Sequence, residues 1–402
     1  MFGLPIEKIT FADVDAFCRS GVREGVLLDF KKDFPARLEK TIASFANTYG
    51  GIILIGVDET PTGAPVVPVC GVALVPGLRE RVIQIGLDSI YPPLIPEVKV
   101  VDFKSADGLT ESDRAVVVAR VHESEIGGHA VDKRTTVYLR VENVSDYVRK
   151  ATMGEVEWFI NKREKALQEK SRILHVAREH ASQYLMRLRT RHGMSTSEPA
   201  ARCVFWTVPR FPRQPLASPQ ELLNLAYELR WTLELHAHLF PLGSVLPVRE
   251  GIFFDGNYYS ALRYTEIQQQ GLSYHQYGFW WHKDSELHNL VLPTSITELM
   301  LSAIRYGTRL YSTLGYWGLV DFEFSLLGVK GLQFHEPTGF PELLSTLGAV
   351  DNEITVRESA SVSELVANGI EVARRMMTDI AWAFGVESCP SSVDNFLAKA
   401  KI

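Results

Sequence analysis

The segment Gly21–Thr60 reads GVREGVLLDFKKDFPARLEKTIASFANTYGGIILIGVDET, and it decides the fold of the N-terminal part of the chain. Val26–Lys31 has the pattern of a strand, and Arg37–Tyr49 has apolar residues at helical spacing. Gly50-Gly51 ends this helix, because glycine adopts the left-handed cap conformation without steric cost. Ile52–Val57 is apolar on both faces, as a central strand is. The segment therefore predicts a strand–helix–strand unit.

The sequence around this unit continues to alternate helical and strand patterns. Helices are predicted over 11–19 and 82–90, and strands over 97–103, 114–121 and 136–141. Beyond residue 193, strand-like runs are accompanied by two helices that open with capping boxes, Ser295-x-x-Glu298 and Ser361-x-x-Glu364. We expect an α+β protein with three parts: an N-terminal mixed-sheet domain over 1–153, a long basic linker helix over 154–192, and a C-terminal α+β domain of unassigned fold over 193–402.

The composition of the 402 residues is that of a globular protein, with 46% hydrophobic and 22% charged residues. The four cysteines lie far apart and form no Cys-x-x-Cys pair, which argues against a disulfide framework or a zinc site and favours reduced thiols. No apolar stretch reaches the roughly 18 residues of a membrane span, and the N-terminus has no secretory pattern. We expect a cytoplasmic protein without a membrane partner.

The net charge of −6 means that nucleic-acid binding needs a locally basic face. Segment 162–191 carries nine Lys and Arg against three Glu, and is the best electrostatic guide to such a face. Apolar residues recur along the same stretch at seven-residue intervals: Ile160, Leu167, Leu174, Ala181 and Leu188. Two interpretations stay open, a coiled-coil arm between protomers and a helix packed across both domains.

Three carboxylates in the deciding segment are candidate catalytic and metal-binding residues. Asp29 and Lys31 share one face of the first strand, because side chains alternate, and Glu24 stands at its entrance. Asp58 follows the second strand at its carboxyl end, the usual place for a functional side chain in an α/β sheet. If the strands are neighbours, Glu24, Asp29 and Asp58 can converge on Mg²⁺ or Mn²⁺, with Lys31 and Lys32 placed to engage phosphates. The ordinary alternative is that these acids cap helices or pair with nearby lysines.

Several motifs follow one another in this region. Glu24-x-x-x-x-Asp29-Phe30-Lys31 is followed by TIASFANTYGG over 41–51, by IGVDE over 55–59 and by VYLRV over 137–141. Together they resemble the Schlafen AlbA-like family, which pairs a Glu-x-x-x-x-Glu-Phe-Lys strand with an Ala-Phe-Ala-Asn-Thr-x-Gly-Gly turn, a Gly-Val-Asp strand end and a closing Tyr-x-Arg-Val. The resemblance covers roughly residues 15–165 and no part of 193–402.

This resemblance implies a nucleic-acid domain of one of two kinds. In vertebrate Schlafens three carboxylates make the domain an endoribonuclease that acts on transfer and ribosomal RNA, and those acids correspond to Glu24, Asp29 and Asp58. Here Asp29 replaces the usual glutamate, so the side chain is one methylene shorter while the charge is kept. Glu59 is the neighbouring candidate for the third position. Many bacterial members are instead regarded as DNA-binding or regulatory, often with a winged helix, a pattern that is missing after residue 165.

Other polar and aromatic residues allow two interpretations each. Asn47 either binds phosphate through its amide or serves the Gly-Gly turn, and Arg140 contacts either a nucleic-acid backbone or a carboxylate. The aromatic stretch Tyr274–Trp281 either stacks on bases or belongs to a core or an oligomer interface. The histidines near this stretch are too loosely spaced for a zinc site.

The sequence therefore favours a metal-dependent endonuclease that cleaves RNA resembling tRNA or rRNA. A nuclease-like head joined to an unassigned body also suits a microbial defence effector that the C-terminal domain regulates. The alternative is a non-catalytic DNA- or RNA-binding regulator whose C-terminal domain senses a ligand or partner. Vertebrate Schlafens pair two such lobes within one chain, so the single lobe here predicts a homodimer or higher homo-oligomer.

Overall fold

The computed structural model describes residues 6–104, 111–141, 147–191, 201–212, 215–232, 244–255, 263–278, 290–291, 293–336, 342–343, 348–386 and 389–399. It divides the chain into two compact units, Met1–Lys165 and Ala166–Ile402. Both units combine helices with sheets, which confirms the predicted α+β class. The predicted linker helix is not a separate body, because most of its length belongs to the second unit.

The first unit opens with a short 3-10 helix, Ile6–Lys8, and alternates helices with strands thereafter. Its elements are α1 (Phe11–Arg19), β1 (Leu28–Lys31), α2 (Leu38–Ala46), β2 (Gly51–Ile55), β3 (Val72–Ala73), α3 (Leu78–Asp88), β4 (Glu97–Lys104), β5 (Glu111–Val121), β6 (Ala130–Val131), β7 (Thr136–Arg140), β8 (Val148–Lys150) and α4 (Met153–Ile160). Strand β1 runs parallel to β2, and β5 pairs antiparallel with β2, β3 and β4. A smaller sheet has the order β6-β7-β8.

Helices cover both faces of the larger sheet. Residues of β1 that face one way, Leu28 and Phe30, pack with Val14 and Cys18 of α1. The opposite face of β2 packs against α2, where Phe45 belongs to the same buried cluster as β2 residues. This two-sided burial explains why the sequence of β2 is apolar throughout. It also means that Asp29, on the α2 side of β1, faces the interior rather than open solvent.

The turn between α2 and β2 requires glycine at two successive positions. Gly50 has a positive φ of 73°, which L side chains rarely adopt. At Gly51 a Cβ atom would lie 2.3 Å from Cε1 of Phe45 and 2.6 Å from the carbonyl oxygen of Leu27. The Gly-Gly pair therefore lets the helix return closely onto the sheet and sets the position of the residues around Asn47.

The second unit contains a larger antiparallel sheet and the longest helices. Its elements are α5 (Lys162–Arg191, which begins in the first unit), β9 (Arg202–Pro209), α6 (Pro219–Thr232), β10 (Ser244–Val248), β11 (Gly251–Asp255), β12 (Arg263–Gln268), β13 (Ser273–Gly278), β14 (Leu290–Val291), α7 (Pro293–Thr313), β15 (Leu319–Leu327), β16 (Gln333–Glu336), β17 (Glu342–Leu343), β18 (Glu353–Ser361), α8 (Val362–Ala383) and α9 (Cys389–Lys399). Seven strands form one sheet in the order β10-β11-β12-β13-β9-β15-β18. Strands β14, β16 and β17 form a small separate sheet.

Helix α5 packs on one face of the seven-stranded sheet. Ile173, Ala177 and Ala181 are buried in a cluster with Trp206 and Tyr264 of the sheet. The seven-residue repeat is not a continuous apolar stripe, since Ile160 is 72% exposed and Leu167 is 51% exposed. The side chain of Leu188 lies outside the described residues. Burial of this helix against the sheet of the second unit accounts for Leu174 and Ala181 of the repeat, but not for the exposed Ile160 and Leu167.

The predicted aromatic stretch is partly strand β13. Tyr274 and His275 are buried there, and burial lowers the pKa of His275 to about 3. These two residues belong to the core, whereas 279–282 and His288 lie outside the described residues. None of the helices in the described residues combines the length and apolar character that a membrane crossing demands.

Candidate nucleic-acid site

Four charged side chains of the first unit meet beside β1, and we call them the acid–base cluster: Glu24, Asp29, Lys31 and Arg140. The ammonium of Lys31 lies 3.0 Å from Oδ2 of Asp29 and 3.4 Å from Oε1 of Glu24. Glu24 also accepts the backbone N–H of Phe30 at 2.9 Å. The structure therefore brings together two of the three predicted carboxylates, and adds two cations to them.

Arg140 is the most deeply buried member of the acid–base cluster. Its Nη1 donates to Oδ1 of Asp29 at 3.2 Å, and its Nη2 donates to the carbonyl oxygens of Gly25 at 2.6 Å and Leu28 at 3.1 Å. The guanidinium also lies 4.3 Å from the ring centre of Phe45. Its side chain is 0% exposed, so the suggested contact to a nucleic-acid backbone is wrong. Arg140 compensates the buried charge of Asp29.

The two carboxyl groups of the cluster have pKa values shifted in opposite directions. Burial raises the pKa of Glu24 to about 8, and its hydrogen bond and repulsion with Asp29 add to the rise. Burial also opposes ionisation of Asp29, but Arg140 and Lys31 together outweigh it and lower the pKa of Asp29. At neutral pH the pair thus consists of a protonated Glu24 and an ionised Asp29, which is how environments separate an acid from a base.

Asp58 does not join the cluster, contrary to the convergence expected from the sequence. It follows β2 beyond Gly56, whose positive φ of 106° turns the chain, and its carboxylate pairs with Lys32 at 2.8 Å. Glu59 is the nearer acid in electrostatic terms, because its charge contributes to raising the pKa of Lys31. The charge of the neighbouring candidate, Glu59, therefore acts on Lys31 of the cluster.

The arrangement does not fit a three-carboxylate metal site. Among the described residues, no three His, Cys, Asp or Glu side chains are grouped so that they could hold an ion. Lys31 already lies against both Glu24 and Asp29, and Arg140 takes the other oxygen of Asp29. Two fixed cations beside two carboxylates leave little negative charge for Mg²⁺ or Mn²⁺ to neutralise.

Asn47 is a structural residue rather than a phosphate ligand. Its amide donates to the carbonyl oxygens of His129 at 2.8 Å and Tyr138 at 2.9 Å, and its Oδ1 accepts the N–H of His129 at 2.6 Å. It is 3% exposed. The side chain ties the end of α2 to the segment around β6 and β7, and it is not available to a nucleic acid.

Sequence reasoning missed a group of cations beside the start of α2, which we call the basic edge: Arg37, Lys40, Lys133 and Arg134. Arg37 pairs with Asp132 of the β6–β7 turn, so that this turn lies against α2. The Lys40 ammonium lies 5.0 Å from the ring centre of Tyr138, and the Arg134 guanidinium lies 4.1 Å from that of Tyr91. Separation in sequence hides this group, because α2 and the turn are brought together only by folding.

The basic helix contributes less free positive charge than its sequence suggests. Lys162 is buried and pairs with Glu123 at 2.7 Å in the first unit. Within the second unit, three further cations are paired with carboxylates of that unit: Lys170, Arg172 and Arg178. Four of the nine basic side chains are therefore already neutralised within the protein.

Comparison with known proteins identifies part of the first unit. Residues 24–148 match the family model "Schlafen, AlbA_2". No curated protein matches the chain. Two solved structures are similar to it at 18% identity. One is the N-terminal domain of a putative ATP-dependent DNA helicase RecG-related protein from Nitrosomonas europaea, with 36% of this chain and 90% of that chain covered and a TM-score of 0.24. The other is the DIP2311 protein from Corynebacterium diphtheriae, with 38% and 32% covered and a TM-score of 0.25.

The matched region contains the acid–base cluster and the basic edge and ends at Val148, so the second unit lies outside it. This confirms the resemblance inferred from the motifs of the deciding segment. At the level of the family, the match supports nucleic-acid binding and no more specific activity. Residues 24–148 of this chain are a Schlafen AlbA_2 domain.

Proposed function

We propose that the first unit binds nucleic acid through the basic edge, with RNA preferred over DNA. The observation that carries the proposal is the conformation of the β6–β7 turn. Asp132, Lys133 and Arg134 have successive positive φ values of 53°, 58° and 72°. Each such residue costs on the order of 1 kcal/mol relative to a glycine at the same place. Because glycine would avoid this cost, the presence of lysine and arginine in the turn indicates that their positive charges have a role.

The rest of the turn holds the two cations outward. The carboxylate of Asp132 accepts from Arg37 and from the hydroxyl of Tyr138, while its carbonyl oxygen accepts from Thr135 at 2.6 Å. Lys133 and Arg134 are both exposed. The strained backbone is thus fixed by Asp132, and the two side chains remain available to phosphates.

Rings beneath two of the cations favour a nucleic acid over a simple anion. Tyr91 lies under Arg134 and is 49% exposed, and Tyr138 lies under Lys40. An exposed aromatic ring beside cations offers stacking to an unpaired base and charge to the neighbouring phosphate. Lys32 is a further exposed cation, at the end of β1, where its 62% exposed side chain pairs with Asp58. Single-stranded segments are the expected ligand.

The test is fluorescence anisotropy with labelled single-stranded and duplex RNA and DNA on the full chain. Lys133→Ala/Arg134→Ala should weaken binding of single-stranded RNA by at least about tenfold, because two phosphate contacts are lost. Lys8→Ala/Arg19→Ala is the matched control, since it removes the same charge from the α1 side of the first unit. Equal affinity of the two double variants would contradict the proposal.

Salt dependence separates phosphate contacts from unfolding. For a single strand, log Kd changes with log salt by about 0.7 for each phosphate contact. The Lys133→Ala/Arg134→Ala variant should lower this slope by about 1.4, whereas Tyr91→Ala should weaken binding at all salt concentrations with an unchanged slope. A parallel loss of affinity without a change in slope for the double variant would show that it does not lose phosphate contacts.

A second candidate function is RNA cleavage at the acid–base cluster, and the split pKa values of Glu24 and Asp29 favour it. A carboxyl group with a pKa near 8 can give or take a proton at neutral pH. Glu24 and Asp29 are then the proposed catalytic residues, a third carboxylate comes from Asp58 or Glu59, and Lys31 and Lys32 hold phosphates. The resemblance implies Mg²⁺ or Mn²⁺ for such chemistry, although the cluster as arranged does not fit a three-carboxylate ion site.

Cleavage is tested by incubating the protein with tRNA, rRNA, single-stranded DNA and duplex DNA, each with Mn²⁺ or with EDTA. Glu24→Gln should abolish cleavage and retain binding. Glu59→Gln should slow cleavage more than Asp58→Asn does, because Glu59 is electrostatically nearer to Lys31. Cleavage by Glu24→Gln at the wild-type rate would exclude the cluster as the catalytic centre.

The remaining proposals concern the cellular setting. The described cysteines Cys18, Cys70 and Cys203 are free, which supports a reducing, cytoplasmic location. The resemblance to two-lobed Schlafens supports a homodimer, and light scattering that shows a strict monomer would contradict it. A defence role, with the second unit restraining the first until it is triggered, is proposed from the two-unit arrangement. It predicts that deletion of 166–402 raises the toxicity of the chain in cells.

A further inference from the structure

A cavity of about 760 Å³ lies in the second unit between α7 and α8. Its apolar surface includes Leu301 and Ile304 of α7 and Leu365 of α8, and Trp317 contributes an indole ring. Small-molecule sites usually have volumes of about 300–1,000 Å³ and apolar linings with a few converging polar groups. In size and lining this cavity resembles a ligand site.

Two arginines of α7 give the cavity a positive charge. Arg305 and Arg309 both line it, and they lie on one face of the helix because they are four residues apart. Across the described residues of the second unit, neither has a carboxylate partner. Five other arginines of this unit are each paired with a carboxylate: Arg172, Arg210, Arg357, Arg374 and Arg375. The cavity therefore carries positive charge without a paired carboxylate among the described residues, whereas the charges of those five arginines are balanced.

Hydroxyl groups lie beside these arginines in the wall of the cavity. Arg305 and Arg309 are exposed, and partial burial lowers the pKa of Arg305. Thr308 and Ser312 also line the cavity, and their hydroxyls donate to the helix carbonyls of Ile304 at 2.7 Å and Arg309 at 3.1 Å. Their oxygens therefore remain as acceptors for a ligand that carries hydrogen-bond donors as well as negative charge.

A break in α8 shapes the opposite wall. Asn368 has non-helical angles, φ −158° and ψ 48°, in the middle of the helix. The next residue, Gly369, approaches α7 so closely that a Cβ atom there would lie 3.3 Å from Cγ2 of Ile304. Residues on both sides of the break line the cavity. The break therefore shapes the α8 wall of the cavity, to which Val366, 58% exposed, also belongs.

We propose that this cavity binds a phosphorylated small molecule that carries a flat aromatic ring with hydrogen-bond donors, which is the chemistry of a mononucleotide. Arg305 and Arg309 hold the phosphate, because guanidinium groups offer paired donors that match phosphate oxygens. The ring lies against Trp317 and Ile304, and Thr308 and Ser312 accept hydrogen bonds from it. This assigns a ligand class to the second unit, independently of what the first unit binds.

The experiment uses MANT-AMP as the probe and energy transfer from tryptophan to the MANT group as the signal, with the full chain. AMP should displace the probe, and adenosine at equal concentration should not. Arg305→Ala/Arg309→Ala should weaken binding by at least about tenfold, as expected when charged hydrogen bonds are lost. Arg357→Ala is the matched control, because this arginine is exposed on β18 and outside the cavity.

Val366→Phe adds bulk to the wall of the cavity without removing charge or adding a tryptophan donor, and should also weaken binding of MANT-AMP. Equal displacement by adenosine, or wild-type affinity of both Arg305→Ala/Arg309→Ala and Val366→Phe, would overturn the proposal. The Lys133→Ala/Arg134→Ala variant should keep the probe's affinity unchanged. Loss of binding in that variant alone would place the probe on the basic edge, and would overturn this inference while leaving the proposed function of the first unit standing.

Discussion

Replacement of Arg140 by methionine should lower the free energy of unfolding of the first unit by about 3–5 kcal/mol at pH 7, the usual cost of breaking a buried ion pair by removing one partner. Methionine keeps the contact of the side-chain stem with Phe45 and removes only the guanidinium. Asp29 then stays buried with Lys31 as its one cationic contact, and the carbonyl oxygens of Gly25 and Leu28 lose a donor. Each lost hydrogen bond costs about 1 kcal/mol, and this cost is already included in the total given above for Arg140→Met.

A double-mutant cycle separates the charge of Asp29 from the packing of Arg140. Asp29→Asn alone should cost less than Arg140→Met, since the guanidinium keeps its two carbonyl acceptors. Arg140→Met/Asp29→Asn should be more stable than the sum of the single effects by about 1–3 kcal/mol, because no uncompensated charge is left. The deficit of Arg140→Met should also shrink as the pH falls towards 4. Without Arg140, burial raises the pKa of Asp29, so ionisation of Asp29 costs the variant stability as the pH rises, whereas in the wild type the pKa of Asp29 is lowered and its ionisation has no such cost.

The assay is hydrogen exchange of the β2 amides in the full chain, which reports on the first unit without interference from the second. A loss of 3 kcal/mol corresponds to exchange faster by roughly two powers of ten. Arg19→Met is the control, because this arginine forms an exposed pair with Asp15 and should leave β2 exchange unchanged. An increase below tenfold for Arg140→Met, or strict additivity in the cycle, would refute the assignment of Arg140 as the partner that makes a buried Asp29 tolerable.

Three further predictions concern the same unit. Glu24→Gln should match the wild type in stability near pH 5 and become progressively more stable than the wild type up to about pH 8. The reason is that the raised pKa of Glu24 makes the wild type lose stability as the pH rises through that range. Urea unfolding at several pH values measures this difference, and Asp58→Asn should show no such trend. Asn47→Ala should cost on the order of 3 kcal/mol by leaving buried backbone groups without partners, measured by thermal unfolding. Gly51→Ala should destabilise the unit by about 1–3 kcal/mol through overpacking, whereas Gly25→Ala, where a Cβ meets nothing within 4 Å, should change the thermal midpoint far less.

The fold of the first unit was predictable because its determinants are local. The apolar run of β2 and the helical spacing of α2 indicate the elements, and Gly50 requires the turn for steric reasons. Helix α1 begins at Phe11 and ends at Arg19, as the sequence predicts. Capping also placed α8, since Ser361 accepts from the N–H of Glu364. Each of these signals operates within a few residues, so it can be recognised without knowledge of the tertiary structure.

The site was less predictable because its partners are distant in the chain. Asp29 and Arg140 are separated by 111 residues, and nothing near Asp29 indicates that a buried arginine will neutralise it. Position 58 was chosen because it follows a strand, but the positive φ of Gly56 redirects the chain and brings Glu59 into electrostatic reach of Lys31. The basic side chains of α5 could be counted from the sequence. Their neutralisation by carboxylates of β15 and other elements could not be predicted, because those carboxylates are distant in the chain.

The burial of Arg140 links the stability of this domain to the chemistry available at its surface. Arg140 keeps Asp29 ionised, and the ionised Asp29 in turn helps to keep the proton on Glu24. Removal of Arg140 would therefore exchange the protonation states, because burial would then favour a neutral Asp29 and release Glu24 from its repulsion. It follows that Arg140→Met would change any proton-transfer role of Glu24 without touching a ligand. A loss of cleavage in that variant identifies a catalytic carboxylate only if the pH profile of Glu24 is measured alongside it.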